Sequence, residues 1–271
     1  MRATSEASLA SARERFAPIL DGAGDGAREL GEQIFSVVDA LDGSTSLRRA
    51  LTDPTRSGEA KAQLATTLLG AQVHADVVDL VAGLARARWS ADADLAEALE
   101  ELGTTAVLVS AESRGELLRV EDDLFRLGRI LSNERDLRVA LASTDVTAER
   151  RTALADQLLN GRVAPESQVL VRRTVGALRQ RSVTTRLSHI AEIAAARRKR
   201  VVASVLVASP ITTAQVERLS ATLSRIYSTE VHVNVGVDPS IVGGMRIQVG
   251  AEVVDATVLS KLAEARRRIA G

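Results

Sequence analysis

The sequence runs to 271 residues with 35 basic and 35 acidic side chains, so its formal charge is zero. That balance argues against nucleic-acid binding, where a basic excess supplies most of the affinity. The chain has no cysteine, which excludes disulfides, thiol nucleophiles and thiolate metal sites and fits a reducing cytoplasm. Length alone allows one to three domains. Alanine, leucine and valine dominate the apolar fraction, and the aromatics are Phe16, Phe35, Trp89, Phe125 and Tyr227, a make-up suited to close-packed helices. Lys61, Lys199 and Lys261 are the only lysines; the arginines are interspersed with acids, which reads as coding preference rather than phosphate chemistry.

No apolar run approaches the ~20 residues that span a bilayer. The longest, Val201 to Ala208, is broken by Ser204 and reads as a strand. Met1-Arg2-Ala3-Thr4-Ser5-Glu6 lacks the apolar core of a signal peptide. No direct membrane insertion is expected.

Residues 1 to about 198 read as helices. Ser5 is expected to cap a first helix carrying Leu9, Ala12, Phe16 and Ile19, with Pro18 marking its end and Asp21 to Gly26 forming a loop. A second helix runs to about Leu41. A short one with Leu47 and Leu51 follows, then Pro54, a helix with Leu64, Leu68 and Leu69, and another with Val77, Leu80, Val81 and Leu84.

Offset by ninety residues, the chain resembles itself. Phe35, Leu41, Leu47-Arg48, Ala50-Leu51, Glu59, Leu64-Ala65, Leu68-Leu69, Val73 and Leu80-Val81 recur as Phe125, Leu131, Leu137-Arg138, Ala140-Leu141, Glu149, Leu154-Ala155, Leu158-Leu159, Val163 and Leu170-Val171. These are fourteen identities in forty-seven positions without a gap. Leucine-rich helices match by chance, but phenylalanine is rare here, so the pattern reads as one helical bundle duplicated. Between the copies, Ala91 to Leu131 forms one long helix or two with a break near Gly115. Pro165 suits the first turn of a helix.

The character then changes. Val201, Val202, Val205, Leu206 and Val207 form a β-branched strand ended by Pro210. Thr212-x-x-Gln215 is a capping box opening a helix with Val216, Leu219, Leu223 and Ile226 on one face. Val231, Val233, Val235 and Val237 alternate with polar residues and glycine, a half-buried strand. Asp238-Pro239-Ser240 turns the chain, and Gly243-Gly244 leads into Met245, Ile247 and Val249. Glu252 to Asp255 closes the sheet, and a final helix carries Val258, Leu259, Leu262 and Ile269.

Catalytic candidates are absent from the sequence. His74, His189 and His232 lie in three elements without ligand spacing and read as solvated or singly hydrogen-bonded. Gly243-Gly244 and Gly250 precede or follow a strand rather than a helix N-terminus, so they read as turn glycines rather than a phosphate cradle. The acid pairs Glu100-Glu101 and Asp122-Asp123 read as solvated, salt-bridging helix faces. No GxSxG or SxxK motif occurs. Arg197-Arg198-Lys199-Arg200 and Arg266-Arg267-Arg268 end helices, where the dipole favours cations; contact with an acidic partner or an anionic lipid surface is their second reading. No catalytic residue, cofactor or metal ligand is assigned.

The run Val231 to Gly250 combines a strand, a D-x-S turn (Asp238, Ser240), the pair Gly243-Gly244 and a second strand with Ile247. Asp255 before Thr257, then Leu259 and Leu262, complete the order. This set resembles the signature of the δ subunit of bacterial F-type ATP synthases, the family of the mitochondrial oligomycin-sensitivity-conferring protein. The likeness covers roughly 115 to 271, with Ala208-Ser-Pro-Ile-Thr also matching, and the first bundle copy follows more loosely. It implies a non-catalytic stator subunit, one copy per complex, at the cytoplasmic face of the bacterial membrane. A helical bundle would meet the N-terminal segments of the α subunits on the catalytic head, and the C-terminal module would bind the b-subunit stalk. Two departures stand out: the family ordinarily has a single bundle, and Thr257 replaces the usual serine while keeping the hydroxyl. A stand-alone helical-repeat scaffold is the rival reading.

The expected fold is therefore mainly α with a small α/β C-terminal domain. Two tandem helical bundles, 1–110 and 111–200, precede a short-stranded sheet packed with two helices at 201–271. The module residues singled out are Val231, Val233, Val235, Asp238, Ser240, Gly243, Gly244, Ile247, Gly250, Asp255, Thr257, Leu259 and Leu262.

Overall fold

The computed structural model describes residues 1–178, 182–198, 201–227, 231–238, 241, 243–249 and 252–255. The chain divides into two compact units, Met1–Ala195 and Ala196–Gly271.

The first unit is helical: α1 (Ala3–Ala23), α2 (Ala27–Gly43), α3 (Thr45–Thr52), α4 (Gly58–Leu69), α5 (Ala75–Arg86), α6 (Asp92–Ser113), α7 (Leu117–Asn133), α8 (Arg135–Ala142), α9 (Ala148–Leu159), α10 (Pro165–Gly176) and α11 (Val183–Arg198). Apolar spacing sets which face each helix buries. On α2 the stripe Leu30, Ile34, Val38 and Leu41 is buried, and on α7 the stripe Leu117, Val120, Leu124, Leu127 and Leu131.

Helices α2 to α5 recur as α7 to α10, each with the same length and beginning ninety residues later: Ala27 and Leu117, Thr45 and Arg135, Gly58 and Ala148, Ala75 and Pro165. Polar contacts recur with them. Arg48 donates to the Leu41 carbonyl at 2.8 Å, and Arg138 to the Leu131 carbonyl at 2.9 Å. Ser57 and Thr147 cap α4 and α9 through the amides of Ala60 and Arg150. Lys61 donates to the Ala87 carbonyl at the end of α5, and Arg151 to those of Val175 and Gly176 at the end of α10.

Helix α6 belongs to two cores. Leu95, Leu99, Leu102 and Ala106 pack in a cluster with α1 to α5, while Val107, Leu108 and Ala111 pack in a second with α7 to α11. That dual burial explains why α6 is apolar on nearly all sides. It crosses α2 closely: a Cβ on Gly31 would lie 2.8 Å from the Gly103 carbonyl oxygen.

Several expectations are corrected here. Ser5 does not cap α1; it is buried, donates to Asp94 at 2.6 Å and accepts from the Ser90 amide. Pro18 does not end α1, which continues to Ala23. Proline costs one backbone bond, but Pro18 is on the exposed face while Phe16 and Leu20 anchor the helix on either side. Residues 21–23 are therefore helical, and Gly24–Gly26 form a 3₁₀ turn instead of an open loop. Of the two readings for 91–131, the two-helix one holds: Gly115 lies between α6 and α7 with φ +71°, in the left-handed region that favours glycine.

The second unit contains β1 (Val201–Val207), α12 (Thr213–Tyr227), β2 (Val231–Val237), β3 (Met245–Val249) and β4 (Glu252–Asp255). The sheet order is β2-β1-β3-β4. β1 and β2 run parallel, joined through α12, and β3 is antiparallel to both β1 and β4. Ala203, Val205, Val207, Val231, Val233 and Ile247 share a core with Leu223 of α12. The second helix expected against this sheet, with Val258, Leu259, Leu262 and Ile269, lies outside the described residues.

Candidate functional site

The residues singled out in the C-terminal module fall on β2, the turn after it, and β3. The capping box forms as expected: the Thr212 amide donates to Gln215 Oε1 at 2.7 Å, and the Gln215 amide to Thr212 Oγ1 at 3.3 Å. It fixes the start of α12. Two α12 hydroxyls then anchor β2, a contact sequence reasoning did not anticipate. Ser220 donates to the Val231 carbonyl at 2.6 Å, and the Val231 amide donates to Ser224 Oγ at 2.9 Å.

The valine alternation is half core and half surface. Val231 and Val233 are buried, whereas Val235 and Val237 are 36% and 50% exposed. β2 is also an edge strand of the sheet. Beyond it the Asp238 amide donates to the Val207 carbonyl at 3.0 Å, and the Ile241 amide closes the turn on the Asp238 carbonyl at 3.1 Å. Gly244 has φ +83°, so glycine is needed where the chain enters β3. Ile247 returns to the core, and Arg246 faces Asp255 in the β3–β4 register. The structure thus brings Val231, Val233, Asp238, Gly243, Gly244 and Ile247 into one turn-and-strand arrangement. Ser240, Gly250, Thr257, Leu259, Leu262 and the Asp255 side chain lie outside the described residues.

This arrangement leaves the upper half of β2, with Val235 and Val237, exposed at the sheet edge. A strand follows Gly244, so no helix N-terminus is aimed at an anion there. Among the described residues no three potential metal ligands gather. His74 and His189 are exposed, beside Asp76 and Glu192 respectively. A concavity of about 1180 Å³ lies on the helical unit, but ionic pairs such as Arg13 with Glu101 line it.

The acid pairs divide differently from expectation. Glu101 and Asp122 do lie toward solvent. Glu100 is buried between two arginines, and Asp123 accepts from the Ala164 amide and the Ser167 hydroxyl at the start of α10. The ninety-residue offset held a signal for Asp123. Its counterpart Gln33 accepts from the His74 amide at 2.6 Å, at the start of α5.

A model of the ATP synthase delta (OSCP) subunit family matches residues 104–269. The chain belongs to this family. The likeness read from the signature is therefore not accidental. The match opens at Thr104, inside α6, so α1 to α5 precede it. Those helices are nonetheless shared with relatives. The chain is 60% identical to the ATP synthase subunit delta of Beutenbergia cavernae over 271 residues, covering all of both chains. It is 44% identical to that of Streptomyces griseus and 38% to that of Thermobifida fusca, again over the whole of both chains. A chain in the cryo-EM structure of the Toxoplasma gondii mitochondrial ATP synthase hexamer aligns at 18% identity, covering 62% of this chain and 95% of that one. Its TM-score is 0.28, too low to carry an argument.

Proposed function

We propose that this chain is the peripheral-stalk subunit of a bacterial F-type ATP synthase, linking the catalytic head to the b-subunit stalk so that rotation drives ATP synthesis. The observation that carries the reading is the 60% identity over the full length of a relative named ATP synthase subunit delta. In this reading residues 1–110 and 111–200 form two bundle copies, one of which meets the N-terminal segments of the α subunits. Residues 201–271 bind b, with the exposed Val235 and Val237 contributing apolar area. The chain has no catalysis of its own and is held, one copy per complex, at the cytoplasmic face of the membrane. No helix among the described residues is long and apolar enough to cross a membrane, so attachment runs through the other subunits.

The physical task suits the architecture. A stator resists torque through broad interfaces, and packed helical faces supply them. The test is a chain ending at residue 200, challenged with the b subunit in a pull-down and with the complex at low ionic strength. The truncated chain should stay helical by circular dichroism and lose b. Undiminished capture of b would overturn the assignment of the C-terminal module.

A further inference from the structure

Three helices of the first unit meet at one buried carboxylate, and a fourth joins them through Arg173. Glu100, at mid-length on α6, is 8% exposed. Arg173 of α10 grips it with a fork: Nε lies 2.9 Å from Oε2 and 3.1 Å from Oε1, and Nη2 lies 2.6 Å from Oε2. The same guanidinium reaches Asp39 of α2 at 2.6 Å and stacks 4.9 Å from the centre of the Phe35 ring, also on α2. Arg186, in the first turn of α11, donates to Glu100 and, at 2.7 Å, to the Ala177 carbonyl. Burial pulls the Arg173 guanidinium down, but the hydrogen bond and charge of Glu100, with those of Asp39, hold it above its ordinary range. It is a permanent cation.

This cluster is foreign to the repeat. The contacts of Arg48 and Arg138, or of Gln33 and Asp123, occur once in each copy and build the bundle itself. The positions ninety residues before Arg173 and Arg186 hold Gly83 and Ala96, and those on either side of Glu100 hold Ala10 and Ile190. The cluster therefore exists only where the copies join. Its chemistry also differs from the apolar packing around it. Apolar contact is non-directional and tolerates small rotations, whereas a bidentate guanidinium–carboxylate pair is directional and fixes an angle. Buried ion pairs are weak sources of net stability compared with apolar packing, and their best-attested role is to specify one arrangement.

We propose that Glu100, Arg173 and Arg186 form a latch that fixes the angle between the two bundle copies, making the helical unit one rigid body. The latch stands on the geometry of this chain whatever the chain binds.

The test uses the full chain, whose lack of cysteine lets spin labels be placed at T67C and Q157C, exposed and ninety residues apart in α4 and α9. The parent should give one narrow label-to-label distance distribution by pulsed electron resonance. R173L should at least double its width while helical content is kept. R173K, which keeps the charge and loses the fork, should broaden it too, as should E100Q, which keeps the volume. A merely stabilising cluster would lower the melting temperature and leave the width alone, and an unchanged width in the folded variants overturns the latch. If R173L loses its helices, R173K and E100Q decide. Unfolding of all three would show an inseparable fold with no latch, and overturns it as well.

Discussion

Phe35 and Phe125 stand at the same position of α2 and α7, ninety residues apart, yet Phe35 is 6% exposed and Phe125 is 62% exposed. Phe35 lies over Gly103 of α6 and under the Arg173 guanidinium. Ninety residues after Gly103 the chain carries Ile193, whose side chain leaves no comparable slot. Helix α2 uses its ring as core, and α7 leaves its ring on the surface.

The two rings should accordingly differ in stability. Truncating a buried phenylalanine costs about 3–5 kcal/mol, so F35A should move the urea midpoint markedly. F125A should stay within about 0.5 kcal/mol of the parent. Equal losses in the two variants would contradict the asymmetry.

Glycines in the helices separate in the same way. A Cβ at Gly103 would sit 2.7 Å from Phe35 Cε1, and one at Gly31 would meet the backbone of α6. G31A and G103A should each destabilise by about 1–3 kcal/mol through overpacking. Gly128 on α7 has nothing within 4 Å of a built Cβ, so G128A should stabilise by about 0.5–1 kcal/mol by helix propensity. Thermal melts of the three variants give the ranking.

Lys61 and Arg151 perform one task with different cationic groups. Arg151 is 7% exposed and donates to the carbonyls of Ser143, Val175 and Gly176 at 2.8–3.0 Å, and also to Val146. The Lys61 ammonium donates to the Ala87 carbonyl at 3.1 Å. R151M removes the donor from the buried Val175 carbonyl and three partly buried ones; an unsatisfied buried acceptor costs about 1–3 kcal/mol, so it should cost more than K61M. Burial also pulls the Lys61 ammonium below its ordinary 10.5, against the raising influence of Asp53. The folded chain thus releases this proton first, so stability should gain a Lys61 contribution as pH rises from the depressed value toward 10.5. Denaturant midpoints at rising alkaline pH should show that increment in the parent and not in K61M.

Asp53 gives an acid-side counterpart. The Thr55 hydroxyl and amide donate to its carboxylate at 2.7 and 2.9 Å and hold it below its ordinary 3.8, with the hydroxyl the larger cause. Its stabilising contribution is complete above 3.8 and is lost as pH falls through the depressed value. Carbon-13 titration of the Asp53 carboxyl should show T55A raising its midpoint toward 3.8; an unmoved midpoint would remove the hydroxyl from the account.

What was legible in the sequence was local or periodic. The stripes of α2 and α7, the box Thr212–Gln215, Pro165 at the head of α10 and the ordered turn and strands of the C-terminal module all follow from backbone geometry over a few residues. The ninety-residue recurrence of α2 to α5 as α7 to α10 was legible because rare Phe35 and Phe125 share a register with paired leucines. Other features required neighbours distant in the chain. Only the tertiary structure buried Ser5 against Asp94, carried α1 through Pro18, turned Glu100 from a surface acid into a shared ligand of Arg173 and Arg186, and separated the fates of Phe35 and Phe125. Spacing fixes which side chains share a face, but burial and pairing depend on what the rest of the chain lays against that face.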